Sequence, residues 1–377
     1  MSSYKTLPTP GDTAWFTHDR FGMFIHFGLY AMPARHEWVK NYEEIPEDHY
    51  DLYFKHFNPD LYDPKEWARQ AKAAGMKYVV MTTKHHEGFC LFDSKLTEYK
   101  STNTRFGRDI VREFLEAFRA EGIAVGLYFS LLDWSHPDFP KYADRHHPMR
   151  GREEYCGEQI DFDNYLNFMH GQVKELVTGY GKLDLLWFDF SYDDMAGEKW
   201  RASDLISMVR KYQPNVCIDN RLEGSGEKYG SIATASPLPY SGDFVSPEQI
   251  IPPHGIFDER GERVPWELCA TLNDHWGYCE SDKNYKCTRN EFCGDIQQKR
   301  KLRQTDCKTV GYGNRDREYQ PQRFCVKPHY PSSQPQNNGV YNHIDKYQNI
   351  NIDSQAPHPN IFYHGSVEKR VGICNRY

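Results

Sequence analysis

Asp189 closes the run Leu185-Leu186-Trp187-Phe188-Asp189, an apolar stretch that ends abruptly in a carboxylate. A carboxylate so placed can act as a nucleophile or an acid/base group, and its ordinary alternative is to cap the following loop. Repetition favours chemistry, because other apolar runs end in the same manner. Residues 21–27 (FGMFIHF) bring His26 near a strand end and are followed by Glu37 and Trp38. Residues 77–86 (KYVVMTTKHH) run out into Lys84, His85 and His86. Residues 123–130 (IAVGLYFS) carry Tyr128 and precede Asp133 and Trp134, and residues 215–221 (NVCIDNR) end in Asp219, Asn220 and Arg221. Glu248 follows in 242–248 (GDFVSPE), a short strand or a loop. Carboxylates, imidazoles and a guanidinium collected at strand ends form one acid–base site.

The elements that must hold these groups are legible from hydrophobic period. Runs without polar alternation suit strands of a parallel sheet buried on both faces, and 264–272 is a candidate seventh strand. Between the runs lie segments of helical period at 63–74, 107–121, 163–179 and 200–212. Gly75 and Gly122 stop the first two, and Pro214 closes the last. Strand and helix alternate from about residue 21 to 272, which implies sequential βα units. That stretch matches the roughly 250 residues of a (β/α)8 barrel, whose active sites sit at the carboxyl ends of the strands. A doubly wound open sheet, which needs no eighth strand, is the alternative.

Composition fits a globular chain with a sizeable core. Aromatic content is 15%, and the 26 tyrosines outnumber the 22 phenylalanines, as suits a cleft lined by aromatic faces with polar handles. A net charge of −7 argues against a nucleic-acid partner. No apolar stretch reaches membrane-spanning length, and the opening residues lack a secretory apolar core, so a cytoplasmic location without membrane partner is expected. The ten cysteines show no C-x-x-C pair and no zinc-finger spacing, which points to neither a metal cage nor a redox motif. Nothing bears on oligomeric state.

Residues 20–30 (RFGMFIHFGLY) with Pro33, Glu37 and Trp38, the segment HHEGF at 85–89 with its continuation CLFDSKLTEY, the strand LLWFDF, and WELCATLNDHWGY from Trp266 together resemble the α-L-fucosidases of glycoside hydrolase family 29. The resemblance runs from about Thr13 to Lys286. It implies a retaining glycosidase that removes terminal α-linked L-fucose from an oligosaccharide or glycoconjugate and needs no cofactor or metal. Carried across by position, it puts the nucleophile on Asp189 and the general acid/base on Glu248. Fucose contacts fall on His26, Glu37, Trp38, His85, His86, Tyr128, Trp187 and Arg221. Glu87 stands where the family often has aspartate, and Phe129 where a second tyrosine is common.

In such an enzyme Asp189 must be ionised to attack the anomeric carbon, while Glu248 must start protonated to serve the leaving group. Glu37, Glu87, Glu223 and Glu227 compete with Glu248 for the acid/base role. Lys84 reads as a partner for a carboxylate. His26, His85 and His86 could instead hold a catalytic metal in a barrel hydrolase, but adjacent residues on a strand point to opposite faces and chelate one ion poorly. After about Lys286 the resemblance stops. Residues 1–286 form the barrel-like catalytic domain, and 287–377 are polar, cysteine-dotted and without apolar period, so an irregular tail is expected. Neither an eighth strand nor the family's β-sandwich is recognisable there. A reading-frame error would explain the change, and codons for 297–302 can be chosen so that the next frame reads Ser-Lys-Arg-Gly-Asn-Leu. Divergence is the other explanation. A barrel short of its eighth strand could persist as a fucose-binding relic without turnover.

Overall fold

The computed structural model describes residues 11–225 and 228–283. Strands β1 (Gly22–Ile25), β2 (Tyr78–Lys84), β3 (Ala124–Ser130), β4 (Leu185–Asp189) and β5 (Cys217–Ile218) lie side by side in chain order, and every pairing is parallel. The sheet continues past β5 through parallel bridges Asp219↔Phe244, Val245↔Trp266 and Glu248↔Cys269. The Asp243 N–H donates to Ile218 O at 2.7 Å, and the Glu267 N–H to Val245 O at 2.9 Å. These are the sixth and seventh positions expected at 242–248 and 264–272, reduced to isolated bridges. Pro247 and Pro265 bring no N–H to the ladder, which limits its length. Val264 departs from the expectation, since Arg263–Val264 pairs antiparallel with Ile256–Phe257 in a ribbon of its own. Parallel strands laid down in chain order are the pattern of a (β/α) barrel. Glu227 and the tail after residue 283 lie outside the described residues.

Seven α-helices accompany the sheet among the described residues: α1 (Thr13–Asp19), α2 (Val39–Tyr42), α3 (Glu47–His56), α4 (Pro64–Ala73), α5 (Ile110–Ala120), α6 (Phe162–Gly179) and α7 (Ala202–Tyr212). The four with a readable period are α4 to α7. Aspartates cap three of them, as Asp63, Asp109 and Asp161 accept from the N–H groups of Glu66, Arg112 and Asn164 at 3.0, 2.9 and 3.1 Å. Gly75 and Gly122 follow α4 and α5 with φ of +83° and +73°, the left-handed stop that glycine takes without strain. Helix α3 has no clear stripe in sequence, and it buries Tyr50 while leaving Leu52 51% exposed. None of these helices is long and apolar enough to cross a membrane.

Strand parity divides the interior in two. Tyr78, Val80, Tyr128, Leu185, Trp187 and Cys217 join Phe244 and Cys269 in one cluster inside the barrel. Their neighbours Val79, Met81, Leu127, Phe129, Leu186, Phe188 and Ile218 pack outward against the helices. The period of two carries Asp189 to the same side as Leu185 and Trp187. A register shift in β2 between Thr82 and Lys84 breaks that parity. Lys84 consequently faces the helix layer, 3.1 Å from Asp133 and 4.5 Å from the centroid of Phe129, which meets the expectation that it pairs with a carboxylate.

At the amino ends of the strands Asp243 ties three elements together. Its Oδ1 accepts from the Gly11 N–H and its Oδ2 from the Ile218 N–H, both at 2.8 Å, while Arg210 of α7 donates to the same Oδ2. Phe16 of α1 packs its ring on Phe244 with centroids 4.7 Å apart. Asp243→Ala strands a buried guanidinium without its partner and should lower the unfolding free energy by about 3–5 kcal/mol in denaturant titrations. A loss under about 1 kcal/mol would show this pair to be ornamental.

Candidate active site

The carboxyl ends of the strands bring together the ten residues expected at the site. Beyond the end of β1 the ladder gives way to Thr82, whose hydroxyl accepts from the Phe27 N–H and donates to Phe27 O, both at 3.1 Å, so that His26 is held at the rim. Its ring stacks on Trp276 at 5.3 Å and meets those of His85 and Tyr128 at 5.7 Å each. Burial first, and the neighbouring His85 second, hold the His26 imidazole well below its ordinary value.

His85 and His86 do not sit on opposite faces of a strand. β2 ends at Lys84, and the two rings lie 4.0 Å apart in the loop that follows. Ser130 donates its hydroxyl proton to Leu132 O at 2.9 Å, so at 2.7 Å its oxygen receives the Nδ1–H of His86. That network assigns the tautomer and leaves His86 Nε2 as an acceptor. Burial, then His85, keep the His86 ring neutral. His85 Nδ1 lies 3.5 Å from Glu87 Oε2, with both side chains buried. Among the described residues the donor atoms of His26, His85 and His86 do not converge as a metal set.

Asp189, the last residue of β4, is engaged at both oxygens. Tyr128 donates to Oδ2 at 2.7 Å and Arg221 Nη1 to Oδ1 at 2.8 Å. Burial first, and the adjacent Asp189 second, raise the Tyr128 phenol well above its usual range, so it remains a donor. Immediately after Asp189 the chain turns sharply, with Phe190 at φ +88°, a conformation that costs a non-glycine residue energy and aims its ring at Trp38, 5.2 Å away, and His86, 4.8 Å away. Trp38 also meets His86 at 4.9 Å.

Arg221 reaches both acidic groups. Its Nη1 lies 2.8 Å from Asp189 Oδ1 and 3.2 Å from Glu248 Oε2. The two contacting oxygens, Asp189 Oδ1 and Glu248 Oε2, can therefore be no farther apart than those contacts laid end to end. Nε donates to Ser246 Oγ at 2.9 Å and Nη2 to Ser246 O at 3.1 Å, while the guanidinium carbon stands 4.5 Å from the Trp187 ring centroid. Burial opposes this charge, but Asp189 and Glu248 more than offset it. Trp187, 1% exposed, is the floor beneath the arginine.

Two of the competitors of Glu248 have other engagements. Glu37 Oε2 accepts from the Gly277 N–H at 2.7 Å, and Glu223 Oε2 accepts from the Ser231 N–H at 2.7 Å and its hydroxyl at 2.8 Å. Glu87 lies behind His85, away from Arg221's contacts.

Sequence reasoning passed over two residues. Trp276 donates from Nε1 to Glu248 Oε1 at 3.1 Å, and nothing but its place in WELCATLNDHWGY sets it apart from other loop aromatics. Glu267, from the same motif, is buried inside the barrel and accepts from the Tyr78 hydroxyl at 2.7 Å. Burial lifts its carboxyl from 4.5 to about 7, against the pull of that hydrogen bond. The folded chain thus holds a proton that the unfolded chain releases, and the stability from it is full below about pH 4.5 and lost as pH rises through about 7. Glu267→Gln keeps an acceptor for Tyr78 and should escape that loss. Relative to the parent, its unfolding free energy should gain about 2–3 kcal/mol between about pH 5 and pH 8. A difference that stays constant with pH would mean that Glu267 titrates as in the unfolded chain.

A family model described as α-L-fucosidase matches residues 4–292. Among solved structures, α-L-fucosidase isoenzyme 1 from Paenibacillus thiaminolyticus is 61% identical with a TM-score of 0.70, and the match covers 73% of this chain and 64% of that one. α-L-Fucosidase AlfC from Lactobacillus casei, solved with α-L-fucose as product, is 30% identical with a TM-score of 0.63, covering 76% and 88%. Tissue α-L-fucosidase of Homo sapiens is 28% identical over 297 residues, 73% of this chain and 57% of the human one. The chain spans little more than half the length of such relatives, 54% for one from Caenorhabditis elegans. With most of its length inside the family model, the chain belongs to the α-L-fucosidase family.

Proposed function

We propose that this chain is a retaining exo-α-L-fucosidase that hydrolyses terminal α-linked L-fucose from oligosaccharides or glycoconjugates by double displacement. The observation that carries this reading is the single Arg221 Nη1 in contact with both Asp189 and Glu248. A shared partner keeps the two carboxyl groups near one another, which supports the closely spaced pair of a retaining glycosidase, about 5–5.5 Å, over the wider gap of an inverting one. Solved relatives include AlfC complexes with Fuca(1,6)GlcNAc and with α-L-fucose, which supports a fucoside as substrate.

In this mechanism Asp189 Oδ1 or Oδ2 attacks the anomeric carbon as Glu248 gives a proton to the departing oxygen. Glu248 then takes a proton from water, which releases fucose and restores Asp189. Tyr128 and Arg221 hold the nucleophile's orientation from two sides, and Trp276 holds Glu248. His86 Nε2 offers an acceptor, and His26 and His85 offer further ring nitrogens, to sugar hydroxyls. Trp38 and Trp276 supply aromatic faces for the apolar side of the pyranose. Two carboxyl groups and water suffice for this reaction, so it calls for no cofactor.

Asp189→Ala should abolish turnover of para-nitrophenyl α-L-fucoside, and azide, entering the vacated space, should restore part of it. Glu248→Ala should cost about 10²–10⁴ in turnover for fucosides with poor leaving groups and far less for the nitrophenolate. Equal losses for both would make Glu248 a sugar-binding carboxylate. Fucose binding by the parent chain without any turnover would support the relic instead.

A further inference from the structure

The loop after the seventh strand position carries a group of donors that the hydrolytic reading leaves unused. His275, Cys279 and Asp282 each present one ligating atom, and the three lie within 4.8 Å of one another. Cys279 and Asp282 are buried, whereas the His275 side chain is 34% exposed, so the cluster opens to solvent on one side. The donors are an imidazole nitrogen, a thiol sulfur and a carboxylate oxygen. Hard cations such as calcium or magnesium take oxygen ligands, while mixed sulfur and nitrogen donors select zinc and its late-transition neighbours.

The loop's framework is fixed independently of these side chains. The His36 N–H donates to Tyr278 O at 3.2 Å and the Glu280 N–H to Ala34 O at 2.8 Å, and Cys279 bridges Arg35. The His36 ring lies parallel to that of His275, 7° off, with centroids 4.5 Å apart, which fixes the imidazole plane. Asp282 Oδ2 accepts from the His275 backbone N–H at 3.1 Å, and its Oδ1 lies 2.9 Å from His275 Nδ1. Cys279 Sγ is 3.1 Å from Ser281 Oγ. Tetrahedral zinc at ordinary bond lengths places such donors about 3.4–3.6 Å apart, a spacing that donors already within 4.8 Å of one another reach by small adjustments within a held backbone.

We propose that His275, Cys279 and Asp282 form a structural site for zinc or a related late-transition divalent ion, with water completing the tetrahedron. On binding, the Cys279 thiol gives its proton to solvent. His275 ligates through the Nδ1 lone pair, with a proton on Nε2. Asp282 ligates through Oδ1 and keeps Oδ2 on the His275 N–H. The residues between the first two ligands are the ones that touch the acidic groups, Trp276 at Glu248 and Gly277 at Glu37. The ion therefore pins the loop that presents them.

Cobalt(II) titration of the chelator-stripped full chain tests this. One equivalent should bind with a thiolate-to-cobalt charge-transfer band in the near ultraviolet, zinc should bleach the band, and about one proton should be released per ion in weak buffer. The chain has ten cysteines, so variants make the assignment. Cys279→Ser should remove the band, and His275→Ala and Asp282→Asn should each weaken cobalt binding by at least about the tenfold that losing even an outer-shell partner costs. Circular dichroism matching the parent shows which variants fold, and any one that does decides the matter. Absence of a band in the parent, a band that survives Cys279→Ser, or affinity unchanged in the folded His275 or Asp282 variant overturns the proposal.

Discussion

A buried guanidinium is costly unless its charge is matched, and the site is arranged around meeting that condition for Arg221. Asp189 supplies the negative charge, Glu248 and Ser246 take up the remaining donors, and Trp187 supplies a π face beneath. Those partners come from β4 and from the sixth barrel position, while the arginine itself stands in the segment after β5. The arginine can be satisfied only if these pieces are neighbours, which is what parallel strands laid down in chain order provide. Tyr128 extends the network to β3 and Trp276 to the loop beyond the seventh position. Placing the two carboxylates and burying the cation are thus one physical problem with one solution.

Below this layer the barrel interior stays mixed in character. Trp187, Leu185, Val80 and Phe244 fill most of it, yet Glu267 sits among them with Tyr78, and Asp243 closes the base against Arg210. Polar groups at such depth hold only when their donors and acceptors are met. Asp243 accepts from two backbone N–H groups as well as the arginine, and in doing so couples the chain near Gly11, β5 and α7. Glu267 lacks a cation of its own and keeps a proton instead.

Where a single period governed a segment, the sequence was enough. The run Leu185–Asp189 ends as the sequence suggests because alternation carries Asp189 to the interior, and α4 to α7 follow their stripes, the first three from aspartate caps. Where a local break intervened, it was not. The slip at Thr82/Lys84 puts Lys84 outward and lets His85 and His86 turn to one pocket, which no alternation rule foresees. Pro247 and Pro265 cut the sixth and seventh positions to bridges, and α3 has only Tyr50 to bury. Trp276 was quoted within its motif without being singled out, because the hydrogen bond that gives it a role spans 28 positions of chain. The donors at 275, 279 and 282 follow no zinc-finger spacing; the fold of their loop, paired with residues 34–36 and tied by Asp282 to the His275 N–H, draws them together.

That pairing bears on how the barrel keeps its shape. Among the described residues β1 is paired along one edge alone, with β2, and all four of its residues are half-buried. The seventh position likewise pairs on one side, with the sixth. Across the interval between them run the contacts of residues 34–37 with 277–280, among them Arg35↔Cys279 and Gly277 to Glu37. Deeper down, the Tyr78 to Glu267 hydrogen bond spans the interior from β2 to the seventh position, and the ring of Phe16 lies between Tyr78 and Phe244. Among the described residues the barrel is drawn together at three heights by side chains and loops rather than by a continuous ladder. His26 belongs to one side of the interval and Trp276 to the other, and their rings stack across it at 5.3 Å. Any widening there would separate that stack and carry Trp276 and the Glu248 it holds away from His26, so the loop at 275–282 governs where the acid/base candidate stands relative to the opposite wall of the pocket.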